Sequence, residues 1–258
     1  MSGHVTGFAR ALAESDRCLV GTWVKIPALE TVEILADSGF DFIIIDQEHA
    51  PLNLESVYSA TVVAQGAGLQ VLVRVPDRSG SHLQRLLDSG VDGILVPRVT
   101  SAAEAAEAAR QMTFSPEGDR GMGITARAGR WGGIGRDAYL AAGSGVMRGV
   151  QLEDKDTVAN AAEVFAVPHL NGAFLGMGDL QLSSGQSESE PEIQELVDSF
   201  LAAADAASIP VGTAVQTAEQ VEKAAKRGFS YAMVSNDTGL LLSAAKSVVG
   251  EVRSRLGY

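Results

Sequence analysis

Short apolar segments recur along the chain, and each is followed by a longer segment that can form an amphipathic helix. The apolar segments are residues 18–24, 42–46, 70–75, 93–97, 149–153, 172–176, 210–214 and 231–235. They are rich in β-branched residues and apolar on both faces, which predicts parallel strands that are covered by helices. Gly39, Gly90 and Gly228 stand where the intervening helices would end.

Eight such β/α units in 258 residues predict a (β/α)8 TIM barrel, with residues 1–258 as a single domain. A doubly wound open sheet is the alternative. That fold usually carries a glycine fingerprint after its first strand, and the GTWVKIP segment does not match one. The longest segment without a predicted strand or helix is 113–145, which we expect to be a functional or mobile loop.

The charge of the chain restricts its partners. The formal net charge is -12, so we expect neither nucleic acid nor an anionic membrane surface as a partner. No segment has about 18 apolar residues without a charge, and the first residues do not resemble a signal peptide. Cys18 is the single cysteine and cannot form an internal disulfide. We therefore expect a soluble cytoplasmic protein.

Polar side chains stand at the ends of most predicted strands. In the segment IIIDQEHAP, the second strand runs into Asp46, Glu48 and His49. The ends of other strands carry Lys25, Arg74, Arg98, Gln151, Glu153 and Asp179. The active site of a (β/α)8 barrel lies at the carboxyl ends of its strands, so we expect these side chains to meet there.

Glu153 and Asp179 have two interpretations. Two carboxylates on neighbouring strands, in a chain without a Cys/His ligand cluster, suit a hard divalent cation such as Mg²⁺ or Mn²⁺. Alternatively, each carboxylate caps the helix that follows its strand.

Arg74 and His49 are also open to two interpretations each. The Arg74 guanidinium either makes a structural ion pair, for example with Asp46, or binds a substrate oxygen. The His49 imidazole is either a packing residue or a general base, which carboxylates at a strand end would favour. Asp88 either orients His49 or is an ordinary residue on the surface of a helix.

Several motifs, taken together and in order, resemble the HpcH/HpaI aldolase family, the metal-dependent class II pyruvate aldolases. The matching segments are GTW (21–23) with Pro27, Glu30 and Glu33, GFDFIIIDQEHAP (39–51), VLVRVP (71–76), LLDSGVDGILVPRV (86–99), GDRG (118–121), GVQLED (149–154) and GAFLGMGDLQLSSG (172–185). They cover most of the chain, which makes the resemblance specific.

The resemblance implies a TIM barrel whose last helix is exchanged between subunits, and a homohexamer built as a trimer of dimers. It implies that a divalent cation (Mg²⁺, Mn²⁺ or Co²⁺) is held by the two carboxylates at the ends of strands five and six. The implied site residues are Glu153 and Asp179 for the metal, Arg74, Gln151, Gly178 and Asp179 for the substrate, and His49, Arg74, Asp46 and Asp88 for catalysis.

The implied reaction is cleavage or formation of a 4-hydroxy-2-oxo acid, with pyruvate and an aldehyde as the other partners. Leu52-Asn53 replaces the Asn-Asp pair that often follows EHAP in these aldolases, and GMGDL also departs from their pattern, so the aldehyde is left open. Three alternatives remain. They are a siderophore-type citrate synthase condensation at the same site, a Schiff-base aldolase using Lys25 or Lys155, and a non-catalytic barrel.

Overall fold

The computed structural model describes residues 7–258, which form a closed barrel of eight parallel strands in sequential order. The strands are β1 (Leu19–Val24), β2 (Phe42–Asp46), β3 (Gln70–Arg74), β4 (Gly93–Val96), β5 (Met147–Leu152), β6 (Gly172–Leu175), β7 (Val211–Val215) and β8 (Tyr231–Asn236). The last strand, β8, pairs with β1 and closes the barrel. The prediction of a (β/α)8 barrel is confirmed, and the open sheet is excluded.

Helices precede, connect and follow the strands, and most of them cover the outside of the barrel. They are α1 (Phe8–Glu14), α2 (Leu29–Asp37), α3 (Leu54–Gly66), α4 (Gly80–Asp88), α5 (Ala102–Met112), α6 (Arg136–Ser144), α7 (Lys155–Ala159), α8 (Ala161–Phe165), α9 (Met177–Ser184), α10 (Pro191–Ala207), α11 (Ala218–Arg227) and α12 (Asp237–Leu256). Helix α6 and a 3₁₀ helix at Arg127–Gly132 lie inside segment 113–145. That segment is therefore more regular than the loop that the sequence predicted, because its small residues obscured the helical pattern.

The alternation of side chains along β2 explains how one apolar strand serves two cores. Ile43 and Ile45 belong to the core between the strands and the outer helices. Phe42 and Ile44 belong to the core inside the barrel. Because successive side chains of a strand point to opposite faces, Asp46 shares the inward face with Phe42 and Ile44.

Aromatic rings fill the amino-terminal half of the barrel interior. Phe8, on the helix before β1, lies 4.7 Å from Phe42 and 5.4 Å from Tyr231 between ring centroids. The Tyr231 hydroxyl donates a hydrogen bond to the Ala173 carbonyl oxygen at 2.6 Å. Buried aromatic rings thus fill the interior at this end, so the open polar end is where ligands can enter.

Helix α12 differs from the others because it buries so little. Of its 20 residues, Asp237 alone is buried. The Asp237 carboxylate accepts hydrogen bonds from the backbone N–H groups of Lys25 and Ile26 at 2.9 and 2.8 Å, which fastens the start of the helix to the end of β1. No helix in the described range, 7–258, is long and apolar enough to cross a membrane.

The interior packing predicts that Gly212→Ala destabilises the barrel. A Cβ at Gly212 would overlap the ring of Tyr231, which is fully buried and has no space to move. We expect a loss of about 1–3 kcal/mol or more in the free energy of unfolding, measured by urea denaturation. Gly66→Ala is the control, because its Cβ would meet nothing within 4 Å. Equal stability of the two variants would contradict this account.

Candidate active site

A buried carboxylate organises the carboxyl end of the barrel. Asp46 ends β2 directly beside Arg74, which ends β3. Arg74 donates two hydrogen bonds to it, from Nε to Oδ1 at 3.0 Å and from Nη2 to Oδ2 at 2.8 Å. The ammonium group of Lys25, after β1, lies 2.7 Å from Oδ2. The Asp46 carboxylate therefore has two cationic partners from the two neighbouring strands.

These contacts keep Asp46 ionised. Burial opposes the ionisation of Asp46, but the hydrogen bonds and charges of Arg74 and Lys25 outweigh it and lower its pKa to about 2. The Arg74 guanidinium also stacks over the Trp23 ring, with Cζ 4.2 Å from the ring centroid. The structural ion pair considered for Arg74 is thus present. Its two bonds to Asp46 occupy two of the five N–H donors of an arginine, and Nη1 also lies 3.2 Å from Glu48 Oε2, so the remaining donors are those open to a ligand.

Glu48 connects the charged groups at the mouth of the barrel. Its Oε2 lies 3.2 Å from Arg74 Nη1 and 3.7 Å from His49 Nε2. Its Oε1 lies 3.2 Å from Arg98 Nε. The His49 side chain is 56% exposed, and its backbone N–H donates to Asp46 Oδ1 at 3.2 Å. His49 can therefore exchange protons with a substrate or with solvent at this mouth.

Glu153, immediately after β5, is buried on the other side of the same opening. Its Oε1 accepts a hydrogen bond from the backbone N–H of Arg98 at 3.0 Å, and Gln151 Nε2 donates to its Oε2. A Cβ at Gly176 would lie 2.7 Å from Glu153 Oε2, so the glycine leaves a small space beside that oxygen. The buried Gln151 Oε1 has no hydrogen-bond partner among the residues described.

The surroundings of Glu153 suit a cation. Burial raises the pKa of Glu153, and the nearby negative charges of Asp179 and Glu48 raise it further, against the opposing hydrogen bond from Gln151. Glu48 Oε2 makes no hydrogen bond among the described residues, although Arg74 Nη1 lies 3.2 Å from it as an ion-pair partner. Within the described residues no three His, Cys, Asp or Glu side chains form a complete metal cage. Two carboxylates with open positions remain a suitable donor set for a hard divalent cation, whose other ligands would be water or substrate.

The start of helix α9 offers backbone donors next to this carboxylate pair. Gly178 and Asp179 lie in its first turn and are exposed, and no side chain caps this end of the helix. The N–H groups of the first helical turn have no partner within the helix. They and the helix dipole favour a bound anion such as a carboxylate.

Asp88 lies away from these groups. It is the last residue of α4, which returns from the carboxyl end of β3 towards the amino end of β4. Its carboxylate accepts a hydrogen bond from the Tyr139 hydroxyl at 3.3 Å and lies 3.7 Å from Arg120 Nη2. Among the described residues, Asp88 makes no contact with His49. The role of Asp88 in orienting His49 therefore stays a prediction.

Sequence reasoning did not assign roles to Glu48, Trp23 or Arg98. Glu48 follows the strand next to Asp46, and its position in the motif was the available signal. No local pattern could have shown that Trp23 lies under Arg74 or that the backbone of Arg98 contacts Glu153. These contacts join separate strands, and they depend on barrel closure.

The chain matches a known protein family along most of its length. The family model described as HpcH/HpaI aldolase/citrate lyase matches residues 19–244. A 4-hydroxy-2-oxovalerate aldolase of Rhodococcus jostii (strain RHA1) is 34% identical over 245 residues, which cover 93% of this chain and 93% of that protein.

Solved structures show the same fold. The crystal structure of an HpcH/HpaI aldolase/citrate lyase family protein from Burkholderia cenocepacia J2315 is 30% identical, with a TM-score of 0.87, over 95% of this chain and 98% of that one. A citrate synthase has a TM-score of 0.86 over 98% and 99% of the two chains, but its identity of 21% shows a shared fold alone. The extent of these matches, and of the family model above all, shows that this chain belongs to the HpcH/HpaI aldolase/citrate lyase family.

Proposed function

We propose that this aldolase is a metal-dependent pyruvate aldolase, which cleaves or forms a 4-hydroxy-2-oxo acid from pyruvate and an aldehyde. The observation that carries the proposal is the meeting of three kinds of group at one mouth of the barrel. The groups are a carboxylate pair, Glu153 and Asp179, a buried arginine, Arg74, and the exposed imidazole of His49. The three together suit a reaction through an enolate.

Glu153 and Asp179 are the proposed metal ligands, and Mg²⁺, Mn²⁺ or Co²⁺ is the proposed ion. Burial raises the pKa of Glu153, and the negative charges of Asp179 and Glu48 add to that effect, which supports a divalent cation at this position. When bound, such an ion supplies Lewis-acid polarisation of the keto group of a 2-oxo acid. The helix-capping alternative has less support, because Asp154 caps α7 and Gly176 stands at the N-cap of α9.

Arg74, Gln151 and the start of α9 are the proposed pyruvate site. The backbone N–H groups at Gly178 and Asp179 would bind the carboxylate. The free donors of Arg74 would stabilise negative charge on the keto oxygen as the enolate forms. Asp46 holds Arg74 in place through two hydrogen bonds, so that little reorganisation is needed at the moment of reaction.

His49 is the proposed proton-transfer group. In cleavage it would take the proton of the C4 hydroxyl, and in synthesis it would return that proton to the aldehyde oxygen. Glu48 Oε2 lies 3.7 Å from His49 Nε2, so a carboxylate stands beside the ring. The Schiff-base alternative is not favoured, since the amine of Lys25 faces Asp46 and that of Lys155 faces Glu192.

The proposed assembly is a homohexamer, a trimer of dimers in which α12 is exchanged between subunits, and the exposed apolar surface of this helix supports an interface with a second subunit. The apolar side chains exposed on it are Leu240, Leu241, Leu242, Val248, Val249, Val252 and Leu256. A monomer rarely leaves so many neighbouring apolar side chains in water. Only the first residue of the helix is buried against its own barrel, so the remainder is available to a second subunit.

Removal of metal should abolish the reaction. We expect EDTA to stop pyruvate release from a racemic 4-hydroxy-2-oxo acid, and Mg²⁺, Mn²⁺ or Co²⁺ to restore it. Glu153→Gln should weaken Mn²⁺ binding measured by electron paramagnetic resonance, while Glu163→Gln, an exposed carboxylate on α8, should not. Full turnover in EDTA would contradict the metal site and would direct attention to Lys25.

The geometry of Arg74 should matter as well as its charge. Arg74→Lys keeps the charge but loses the planar pair of hydrogen bonds, so we expect kcat to fall by about 10²- to 10³-fold. Arg78→Lys, on the segment after β3, is the control because its guanidinium pairs with Glu104 instead. Thermal unfolding measured in parallel separates loss of catalysis from loss of fold. A value of kcat within threefold of wild type would contradict the role of Arg74.

The state of assembly should depend on the apolar face of α12. We expect Leu241→Glu combined with Val248→Glu to reduce the mass measured by light scattering, because both side chains are exposed in the monomer and would be buried between subunits. Lys246→Glu on the same helix is the control, since its side chain is polar. An unchanged mass for the double variant would argue against the exchange of this helix.

A further inference from the structure

Arg98 follows β4 with a left-handed backbone, at a φ of 53°. Residues with a side chain adopt this conformation infrequently. Here it allows one residue to contact two carboxylates on different strands. The backbone N–H of Arg98 donates to Glu153 Oε1 at 3.0 Å, and its side-chain Nε lies 3.2 Å from Glu48 Oε1.

The guanidinium of Arg98 is open to solvent, unlike that of Arg74. The Arg98 side chain is 66% exposed, whereas the Arg74 side chain is 8% exposed. One hydrogen bond, from Nη2 to the Pro76 carbonyl oxygen at 3.1 Å, holds it at the rim. Nη1 makes no hydrogen bond to any of the described residues. Arg98 therefore presents unused donors at the opening of the barrel.

The charge of Glu48 does not by itself explain why an arginine stands at position 98. Glu48 already has Arg74 Nη1 at 3.2 Å as a cationic partner. The other neighbour of Glu48 is His49, whose Nε2 lies 3.7 Å from Oε2. Glu48 therefore lies between Arg98 and His49, the imidazole that would act on the oxygen of the aldehyde. This is the part of the mouth that the second substrate would occupy.

We propose that Arg98 is a specificity-determining residue that binds a carboxylate carried by the acceptor aldehyde. The proposal rests on the pyruvate aldolase function given above and adds the chemical class of the second substrate. A guanidinium binds a carboxylate through two parallel hydrogen bonds, so a rim arginine with free donors recognises an acidic aldehyde. In a chain with a net charge of -12, this local cation also gives an anionic substrate a favourable place to enter.

The test is the addition of pyruvate to pairs of aldehydes that differ in one carboxylate. Glyoxylate is compared with acetaldehyde, and succinic semialdehyde with butanal, so that two distances between aldehyde and carboxylate are sampled. The quantity measured is the ratio of kcat/KM for the acidic aldehyde to kcat/KM for the neutral one. Arg98→Met should lower this ratio by about 10- to 100-fold for at least one pair. Arg98→Lys should retain part of it.

Matched variants separate this role from general effects. Met and Lys meet the same backbone restriction at position 98 as Arg does, so folding strain is common to all three proteins. Arg78→Met removes an equal charge from the same rim, where the arginine pairs with Glu104 at 2.8 Å, and should leave the ratio unchanged. A ratio within about twofold of wild type for both aldehyde pairs in Arg98→Met would overturn the proposal. An equal fall in Arg78→Met would overturn it too.

A second measurement distinguishes failure of this proposal from failure of the proposed function. The wild-type protein with metal, without any aldehyde, should exchange the C3 hydrogens of pyruvate for deuterium, followed by proton nuclear magnetic resonance. No exchange would contradict the pyruvate aldolase function itself. Exchange together with an unchanged ratio would contradict the role of Arg98 alone.

Discussion

The hydrogen-bonded pair between Asp46 and Arg74 is the interaction on which the polar half of this barrel depends. Both side chains are buried, and a buried charge without a partner is very costly. Breaking such a pair typically costs about 3–5 kcal/mol because the remaining charge is left uncompensated. Here the register of β2 and β3 places the two residues side by side, so the cost is avoided as soon as the strands pair.

Two carboxylates at the same end of the barrel, Asp46 and Glu153, have different electrostatic surroundings. Asp46, between Arg74 and Lys25, has a pKa of about 2, whereas burial and neighbouring carboxylates raise the pKa of Glu153. One carboxylate is therefore permanently satisfied by protein cations. Among the described residues, no cationic side chain pairs with Glu153, which fits its proposed role as a metal ligand. Carboxylates in one site thus serve different purposes because their surroundings differ.

Much of the fold could be predicted from the sequence because it rests on local patterns. The apolar segments match the observed strands within two residues at each end, and the alternation in FIIID determines that Asp46 faces inward with Phe42 and Ile44. The prediction of a loop at 113–145 was less accurate, since helix α6 lies within that segment. Among the site residues, the strand-end positions of Asp46, Arg74, Gln151 and Glu153 were recognisable. The placement of Asp88 was not, because it depends on where α4 ends in space.

The sequence by itself determined the number of β/α units, the face of each strand and the kinds of side chain at the strand ends. These follow from side-chain periodicity and hydrophobicity, which act over a few residues. Only the tertiary structure decided which of those side chains contact one another. Closing the barrel brought Arg98 into contact with both Glu48 and Glu153 and placed Trp23 against the Arg74 guanidinium. It also left nearly all of α12 exposed, because this helix packs little against its own barrel. Such contacts join residues far apart in the chain, and their energies depend on distance and burial, which no local pattern contains.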